Sequence, residues 1–463
     1  MEKFLQAVKT CVSVFKQLNQ QPIKLVSHLD CDGLTSSSIL IKALKRENIP
    51  FSLTTVRQLD DFVFEELRRE NYPVLFFLDL GSGSLSTIEK IFSDRQVFIL
   101  DHHALENYNF KIIHVLNPHL YGVDGSRDIS GAGVAYLFAK ALNSKNMDLA
   151  HLAIIGAIGD MQENNGFESE LNNFILEDAL NLNTIEITIG LRMFGMQTRP
   201  INKVLEYTTD PYIPGVSGSA SGAEQFISEL GIDAQVNGKY KKLVQLNHDD
   251  LKKIVTGIIL RRLGSEEKPE DVLGKIYILK NEDDESPMKD AKEFSTLLNA
   301  CGRMNKPSVG IGSCLSDEFL KKEALGLLYD YKRELISALE WFHRNKERFV
   351  SGDGFVIINA EHYVKETIIG TLSSLIMKSN IYDFRVVILS SAYTLDGNIK
   401  ISIRGGGGLI DLRKVIQAIV EQTGGIAGGH KYAAGALISQ DKEEKFMKVS
   451  PKILSSILVK HKL

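Results

Sequence analysis

Three short, mostly apolar runs in the first hundred residues each lead directly into acidic or imidazole side chains. The runs cover residues 23–27, 74–78 and 97–100, and the polar groups that follow them are His28, Asp30 and Asp32, then Asp79, then Asp101, His102 and His103. Uncompensated charge at the end of a buried strand is costly, so such groups suggest a use. The segments between the runs read as helices, which predicts an α/β fold whose parallel strand ends meet at one edge.

The same alternation predicts how the whole chain is organised. At 463 residues it is too long for one hydrophobic core. We expect a mostly parallel, helix-wrapped sheet over residues 1–185, a mainly helical insertion over 186–348, and a smaller α/β lobe over 349–463. Residues 1–20 are predicted to form an amphipathic helix, since Phe4, Val8, Val12 and Phe15 recur near helical spacing.

The mixture of carboxylates and imidazoles at the strand ends predicts a metal centre. Oxygen donors with added nitrogen donors suit Mn²⁺ or Mg²⁺ better than a zinc site built from thiolates. Asp30 and Asp32 could each face a different ion, and Asp79 could bridge the two. Paired ions roughly 3.5–4 Å apart activate water and clamp phosphoryl oxygens, which favours phosphodiester hydrolysis.

Each of these motifs alone also has an ordinary structural explanation. Asp30 and Asp32 could belong to a simple Asx-type turn, and Asp79 could cap the following helix. The two histidines could lie in a solvated turn. Three coincidences at equivalent strand ends favour the functional interpretation.

Composition is that of an ordinary globular protein. Hydrophobic residues make up 44% and charged residues 24%, and the formal net charge is −4. A polyanion would therefore have to be held by a local cationic groove and by metals rather than by a global basic field. The four cysteines lack metal-binding or disulfide spacing and fit a reducing cytoplasm. Cys31 lies between two predicted ligands, but its side chain is expected to point away from theirs.

Several further residues are candidates for binding a phosphate-bearing substrate. Ser130 and Gly131 open a helix whose backbone N–H groups could face a phosphate, although close helix packing would explain the glycines equally well. Arg303 could line the substrate path. In the C-terminal lobe, Arg404 precedes a run of four glycines, and Gly428, Gly429 and His430 precede the last strand. Flexible turns have similar glycine runs.

The motifs together resemble those of the DHH phosphoesterases. The matching stretches are S-H-L-D-C-D-G at 27–33, L-D-L-G-S-G at 78–83, L-D-H-H at 100–103, I-G-D at 158–160 and G-G-I-A-G-G-H-K-Y-A-A-G-A at 424–436. The last of these resembles the motif of the DHH-associated domain, with Lys431 where the family usually has proline. The stretches at 207–218 and 293–307 resemble the archaeal RecJ-like exonucleases, including nucleases that associate with the GINS replication complex.

This resemblance implies a single-strand-specific exonuclease that uses two Mn²⁺ or Mg²⁺ ions. The implied ligands are Asp30, Asp32, Asp79, His102 and Asp160, with His28 at or just outside the ligand shell. Pyrophosphatase-type relatives have their histidine four residues before the first acid, where this chain has Val26. Asp101 would orient His102 through a hydrogen bond, and His103 would contact the scissile phosphate.

Two other functions stay open on the sequence. A phosphodiesterase for short oligonucleotides or cyclic dinucleotides would use the same ligands. A non-catalytic replication scaffold is the second, although every expected acid is present. The resemblance also implies single-stranded DNA or RNA and a GINS subunit as partners, the latter docking on the helical insertion. No membrane association is expected.

Overall fold

The computed structural model describes residues 1–18, 22–196, 198–208, 211–263, 269–378, 381–383, 385–408 and 410–460. The chain forms two compact units, Met1–Leu328 and Tyr329–Leu463. The helices are α1 (Glu2–Gln17), α2 (Cys31–Arg46), α3 (Asp61–Arg69), α4 (Leu85–Ile91), α5 (Gly131–Leu142), α6 (Ala150–Gly159), α7 (Glu170–Asn181), α8 (Ile201–Tyr207), α9 (Ala220–Glu229), α10 (His248–Arg262), α11 (Ala291–Arg303), α12 (Pro307–Cys314), α13 (Glu318–Arg344), α14 (Glu366–Lys378), α15 (Leu412–Thr423) and α16 (Glu443–Lys460). The strands are β1 (Ile23–His28), β2 (Phe51–Val56), β3 (Val74–Leu78), β4 (Gln96–Leu100), β5 (His114–Leu116), β6 (Ile185–Leu191), β7 (Gln235–Val236), β8 (Lys239–Tyr240), β9 (Leu273–Leu279), β10 (Val350–Gly352), β11 (Phe355–Asn359), β12 (Val387–Tyr393), β13 (Asn398–Gly405), β14 (Ile426–His430) and β15 (Ala433–Ser439).

A five-stranded, fully parallel sheet organises the first part of the chain. Its strand order is β2-β1-β3-β4-β5. The connection from β1 leads outward to β2, and the next strand, β3, returns to the other side of β1. The direction in which successive strands are added to the sheet therefore reverses between β1 and β3. In open α/β sheets, ligands bind at the carboxyl ends of the strands beside such a reversal. The predicted parallel sheet is confirmed.

Both faces of this sheet are covered, which is why the strands β3 and β4 are almost continuously apolar. Phe76 and Phe98 stack on one face, where Phe15 of α1 packs edge-on against both rings. On the other face Phe77 packs against Phe92, which follows α4. The predicted amphipathic helix at the N-terminus is confirmed over Glu2–Gln17. Residues 19 and 20 of that prediction lie outside the described residues.

The rest of the first unit is not purely helical. Two small antiparallel sheets, β6 with β9 and β7 with β8, accompany its helices. Sequence reasoning missed β6 and β9 because they pair across more than eighty intervening residues, so no local pattern marks them. The three-part division at residues 185 and 348 stays a prediction.

The second unit contains a six-stranded mixed sheet with the order β10-β11-β12-β13-β15-β14. Its hydrophobic core includes Leu389 and Ile401 from the sheet and Ile416 and Phe446 from α15 and α16. The glycine-rich stretch before the last strand was expected to be a turn, but Ile426–His430 is itself an edge strand paired with β15. Among the residues described, no helix is both long and apolar enough to cross a membrane.

Candidate metal centre

Topology brings the three predicted motif segments to one place. β1, β3 and β4 are neighbours in the sheet because β2 lies outside β1. The segments that follow these three strands therefore leave the same edge side by side. Asp160 joins them from the end of α6. The structure thus brings together all the predicted ligand residues.

Asp79 lies at the middle of this group and is 2% exposed. Its Oδ1 atom lies 3.3 Å from His102 Nε2 and 3.8 Å from His103 Nδ1, and its Oδ2 atom lies 3.7 Å from His28 Nδ1. The backbone of Asp79 is left-handed, with φ of 59°, and its N–H group donates to Leu100 O at 2.9 Å. A non-glycine residue held in this region is uncommon and is concentrated at functional sites.

The ring of His102 is oriented by a backbone carbonyl. Its Nδ1 atom lies 2.7 Å from Gly125 O, so a proton on Nδ1 leaves Nε2 with its lone pair toward Asp79 and Asp32. The Nε2 atom lies 3.6 Å from Asp32 Oδ2. Gly125 must be glycine, because a Cβ atom there would lie 1.9 Å from His102 O. The sequence offered no signal for Gly125.

Asp32 is held by the first turn of α5. The N–H groups of Gly131 and Ala132 donate to Asp32 Oδ2 at 2.6 Å and Oδ1 at 2.9 Å. Ser130 caps the same helix by accepting from Gly133 N at 3.3 Å. The N–H groups that we expected to face a phosphate therefore orient a carboxylate of the cluster, because that carboxylate already occupies the positive end of the helix.

Asp30 and His28 form the more open side of the cluster. Asp30 caps α2 by accepting from Gly33 N at 3.1 Å, and its Oδ1 atom lies 2.9 Å from His28 Nδ1. Their side chains are 40% and 30% exposed. Burial opposes the charge on Asp30, but the His28 ring outweighs it and lowers the carboxyl pKa. Asp30 therefore has an ordinary structural role as a helix cap as well as a position beside the metal cluster, although the cap was predicted for Asp79 and an Asx-type turn for Asp30.

Asp101 is paired with His103, not with the ring of His102. Asp101 Oδ1 lies 2.7 Å from His103 Nδ1, and Asp101 Oδ2 accepts from Ser82 N at 2.9 Å. Burial opposes ionisation of Asp101, but His103 outweighs it and holds the pKa of Asp101 low. The predicted hydrogen bond from Asp101 to the His102 ring is wrong, because Gly125 O occupies that position. Asn117, which sequence reasoning did not assign, donates to His103 O at 2.9 Å.

A buried amide network links Asp160 to His102. Gln162 Nε2 donates to Asp160 Oδ2 and to Gly125 O, at 2.9 Å each, and Asn172 Nδ2 donates to Gln162 Oε1 at 2.9 Å. The Asp160 Oδ2 atom lies 3.7 Å from His102 Nδ1. Gln162 and Asn172 were not predicted. The only sequence signal was the position of Gln162 two residues after Asp160.

These residues fit divalent cations. The potential ligand atoms form three sets, and within each set all the atoms lie within 4.8 Å of one another. The sets are Asp79, Asp101, His102 and His103; His28, Asp30 and Asp79; and Asp32, His102 and Asp160. Asp79 Oδ1 is buried and accepts no hydrogen bond of ordinary geometry from the described residues. Burial and the Asp79 charge raise the pKa of Asp32, and burial raises the pKa of Asp160 to about 6. Within the cluster only the histidines can supply positive charge to these carboxylates, and divalent cations would add to it.

The neighbours of the metal cluster include α11. Cys31 Sγ lies 3.5 Å from a carbonyl oxygen of α6 and is not among the grouped ligand atoms of the described residues. Cys31 N donates to Asn299 Oδ1 at 3.1 Å. A Cβ atom on Gly302 would lie 1.9 Å from Leu29 O, so α11 packs directly on the segment before Asp30. Arg303, the last residue of α11, follows this contact.

In the second unit, Arg404 lies on β13 and is half-buried. Its Nε donates to Ser374 Oγ at 3.1 Å, and its Nη1 donates to the carbonyl oxygens of Ile403 and Ala434 at 2.8 and 3.2 Å. The Nε and Nη1 atoms of the guanidinium group are therefore held by hydrogen bonds within the protein.

The predicted glycines lie on the edge strand β14. A Cβ atom built on Gly428 would meet no atom within 4 Å, whereas one on Gly429 would lie 2.6 Å from Ala433 O. The side chain of His430 lies outside the described residues. Gly428 thus leaves the backbone open to close approach.

Three domain families match the chain. They are the DHH family N-terminal domain over residues 22–157, the DHH-CID domain over 193–274 and the DHHA1 domain over 353–456. The chain belongs to the DHH family. The DHH protein is also 35% identical to an uncharacterized protein of Methanocaldococcus jannaschii, over 99% of this chain and 98% of that protein.

Solved structures share the fold of this DHH protein. A structure of exonuclease RecJ bound to manganese has a TM-score of 0.59 at 15% identity, covering 97% of this chain and 94% of that one. The structure of CDC45 from Entamoeba histolytica has a TM-score of 0.62 at 12% identity, covering 98% of each chain. The DHH protein therefore shares the fold of RecJ and of CDC45.

Proposed function

We propose that this DHH protein is a metal-dependent exonuclease that hydrolyses phosphodiester bonds in single-stranded DNA or RNA, in DNA replication or repair. The observation that carries the proposal is the buried cluster around Asp79, in which carboxylates and imidazoles from three strand ends and the end of α6 meet as potential metal ligands. An exonuclease bound to manganese has the same fold. Family, fold and site chemistry thus support one reaction class, the metal-assisted hydrolysis of a phosphate ester.

We propose that two Mn²⁺ or Mg²⁺ ions occupy the cluster. Asp79 would be shared, since its two oxygens face different histidines: Oδ2 faces His28 and Oδ1 faces His102. His28 and Asp30 would complete one site, and Asp32, His102 and Asp160 the other. When bound, the ions activate a water and neutralise the phosphoryl oxygens in an in-line displacement.

His103 is proposed to contact the scissile phosphate. Burial opposes a positive charge on His103, but the Asp101 carboxylate outweighs it and raises the pKa of His103. The Nδ1 atom of His103 lies 2.7 Å from Asp101 Oδ1, and the proposed phosphate contact is assigned to the Nε2 side of the ring. A cationic ring would donate to a phosphoryl oxygen as charge develops there. Asp101 is thus a positioning residue for His103.

Substrate contacts beyond the metals are proposed for residues of both units. Arg303 extends from the helix that packs beside Asp30, and Arg404, Gly428, Gly429 and His430 belong to the DHHA1 domain. The N–H groups of Ser130 and Gly131 are not proposed as a phosphate site. Gly131 N donates to Asp32, and Ser130 caps the same helix. Both residues are therefore proposed to position the ligand Asp32.

Digestion of single strands labelled at either end tests the function. DNA and RNA strands are incubated with the protein in Mn²⁺ and in EDTA, with Asp79→Ala as the matched inactive control. We expect stepwise loss of nucleotides from one end, in Mn²⁺ only and with wild-type protein only. Hydrolysis confined to cyclic dinucleotides or strands of a few residues would indicate the small-substrate phosphodiesterase instead. Absence of any hydrolysis would indicate the replication scaffold.

A GINS subunit is proposed as a partner of the DHH-CID domain. Helix α10 of this domain exposes Leu260, and Leu263 follows it, at 61% and 59% exposure. Purified protein should co-elute with the cognate GINS complex, and Asp79→Ala should co-elute equally well. Leu260→Glu should weaken co-elution without changing strand hydrolysis. Failure of the wild type and of Asp79→Ala to bind at micromolar concentration would contradict the docking role.

A further inference from the structure

Three aromatic side chains form a partly exposed cluster in the second unit, which we call the aromatic patch. They are Trp341 near the end of α13, Phe349 just before β10, and Tyr363 between β11 and α14. The rings of Trp341 and Tyr363 are stacked, with centroids 5.9 Å apart and planes inclined by 18°, and Phe349 lies 5.9 Å from Trp341 at 45°. Aromatic rings at these separations attract one another, so each ring helps to hold the next in place.

Tyr363 is the most exposed member of the aromatic patch, at 61%. Its backbone is fixed nonetheless, because Tyr363 N donates to Ala360 O at 2.8 Å and the next side chain, Val364, is 3% exposed. In the same turn Glu361 has a left-handed backbone, with φ of 46°, and its carbonyl oxygen accepts from Tyr393 N at 2.8 Å. Residues held in this backbone region are concentrated at functional sites. An ordered turn thus presents a large aromatic ring to solvent.

Two cationic side chains accompany the aromatic patch. The segment 343–348 joins two of its rings in the sequence and contains Lys346 and Arg348, which are both exposed. Among the residues described, neither of them forms an ion pair. Lys346 Nζ lies 5.6 Å from the centroid of the Phe342 ring, and that ring stacks on Phe349 with centroids 5.4 Å apart. The ammonium group is therefore close to the aromatic patch and is available to an anion.

We propose that the aromatic patch binds single-stranded nucleic acid, with a base stacked on Tyr363 and the flanking phosphates against Lys346 and Arg348. Proteins hold single strands without reading their sequence by this combination of exposed aromatic rings for the bases and cations for the backbone. The chain has a formal net charge of −4, so a polyanion needs local cations, and these two side chains supply them. The strand would gain a contact in the second unit besides the metal centre, which rests on the proposed function.

Affinity is measured in EDTA by the fluorescence anisotropy of a labelled oligomer of about fifteen dT nucleotides. Tyr363→Ala should weaken binding about five- to a hundredfold, which is the range for the loss of one stacked base. Tyr363→Phe keeps the ring and should bind like the wild type. Tyr329→Ala is the matched control, because it removes a similarly exposed tyrosine, at 69%, from α13. Equal affinity of the wild type and Tyr363→Ala overturns the proposal.

Trp341 reports where the strand binds, because it is the only tryptophan of the chain. Its emission should change on titration with unlabelled oligomer, and an oligomer containing 5-iodouracil should cross-link to Tyr363 or Trp341 under ultraviolet light. Lys346→Gln combined with Arg348→Gln should lower the slope of log Kd against log salt by about 1.4, since each phosphate contact on a single strand contributes about 0.7. Binding with unchanged tryptophan emission and cross-links only to other residues overturns the proposal.

Hydrolysis assays separate this inference from the proposed function. In Mn²⁺, Tyr363→Ala should raise KM for long single strands and leave cleavage of bis(p-nitrophenyl) phosphate unchanged. If wild-type protein binds and cross-links the oligomer in EDTA but hydrolyses no strand in Mn²⁺, the proposed function is contradicted and the aromatic patch is supported. If Tyr363→Ala instead weakens co-elution with the GINS complex and leaves oligomer affinity unchanged, the aromatic patch docks a protein and the proposal is overturned.

Discussion

His102 and His103 are adjacent in the sequence, but their Nδ1 atoms face different acceptors. His102 Nδ1 faces the neutral carbonyl of Gly125, and His103 Nδ1 faces the carboxylate of Asp101. A carbonyl holds one tautomer and leaves Nε2 for a metal, whereas a carboxylate favours a cationic ring. One histidine is thus suited to binding metal and the next to contacting phosphate.

Asp79→Ala should abolish strand hydrolysis and leave the fold intact. Asp79 faces both sides of the cluster, so its loss removes a ligand from two proposed ions. We expect at least about a hundredfold loss of rate at saturating Mn²⁺, since a shared ligand supports several kcal/mol of transition-state stabilisation. Asp94→Ala, which removes an exposed partner of Arg68, is the control. More than about a hundredth of wild-type activity would exclude a bridging role.

Gln162→Ala should weaken metal binding without removing a ligand. Gln162 holds both Asp160 and the carbonyl that orients His102, so both ligands lose their support. Loss of such a supporting hydrogen bond costs about 10–100-fold in metal affinity. The Mn²⁺ concentration for half-maximal activity should rise accordingly, with much of the maximal rate recovered at high Mn²⁺. Gln225→Ala, on an exposed face of α9, should change neither quantity.

At the level of secondary structure, the N-terminus of α5 binds a carboxylate of the cluster, which the glycine-rich sequence alone did not predict. The first turn of this helix binds Asp32, so its dipole and two N–H groups orient a ligand rather than a substrate. Gly156 of α6 approaches the same carboxylate, because a Cβ atom there would lie 2.6 Å from Asp32 Oδ1. Two helices therefore enclose Asp32 closely enough to require glycine.

Gly131→Ala should impair metal binding even though alanine favours helices. A Cβ atom at this position would lie 2.7 Å from Asp79 Oδ1 and 3.0 Å from Asp32 Oδ2. Both carboxylates would have to move, so Mn²⁺ affinity, measured by calorimetry, should fall. Gly326→Ala in α13 meets no atom within 4 Å, and it should stabilise the protein by about 0.5–1 kcal/mol. Equal Mn²⁺ affinity in the two variants would contradict this interpretation.

Arg404→Ala, on β13, should produce a binding defect. Its guanidinium group is oriented by Ser374 and two backbone carbonyls and is proposed to contact the phosphates of the strand. We expect KM on long single strands to rise and the salt slope of binding to decrease by about one, because one fewer counterion is released. Arg385→Ala, an exposed residue paired with Asp383, is the control. Unchanged KM with an unchanged salt slope would mean that Arg404 is structural.

For the whole molecule, metal binding should stabilise the fold more at neutral than at acidic pH. The pKa of Asp160 is raised to about 6 by burial, above its ordinary 3.8. Its contribution to stability is therefore full below about pH 4 and is lost as the pH rises through about 6. Over the same range Mn²⁺ binds better, because it requires ionised ligands.

The difference in Tm between Mn²⁺ and EDTA should accordingly grow from pH 5 to pH 7.5. Differential scanning fluorimetry at both pH values measures it, and Asp79→Ala should show little difference at either. An equal Tm difference between Mn²⁺ and EDTA at pH 5 and pH 7.5 in the wild type would contradict the inference that Asp160 is protonated at the lower pH.

Much of the fold and the ligand set could be predicted from sequence because both depend on local patterns. Apolar runs that end in acids predicted β1, β3 and β4, and spacing predicted α1. The partners of these ligands could not be predicted. Gln162, Asn172 and Gly125 carry no distinctive local pattern, and they contact His102 and Asp160 only after the chain has folded.

The sequence by itself determined which residues have metal-binding chemistry and that they follow strands. Only the tertiary structure decided which of them meet, because strand order is a non-local property: β2 lies outside β1, so β1, β3 and β4 are neighbours. Tertiary structure also decided that the helix N-terminus at Gly131 binds Asp32 and that Asp101 pairs with His103. A hydrogen bond depends on distances of a few ångströms between segments far apart in the chain, and those distances are set by packing.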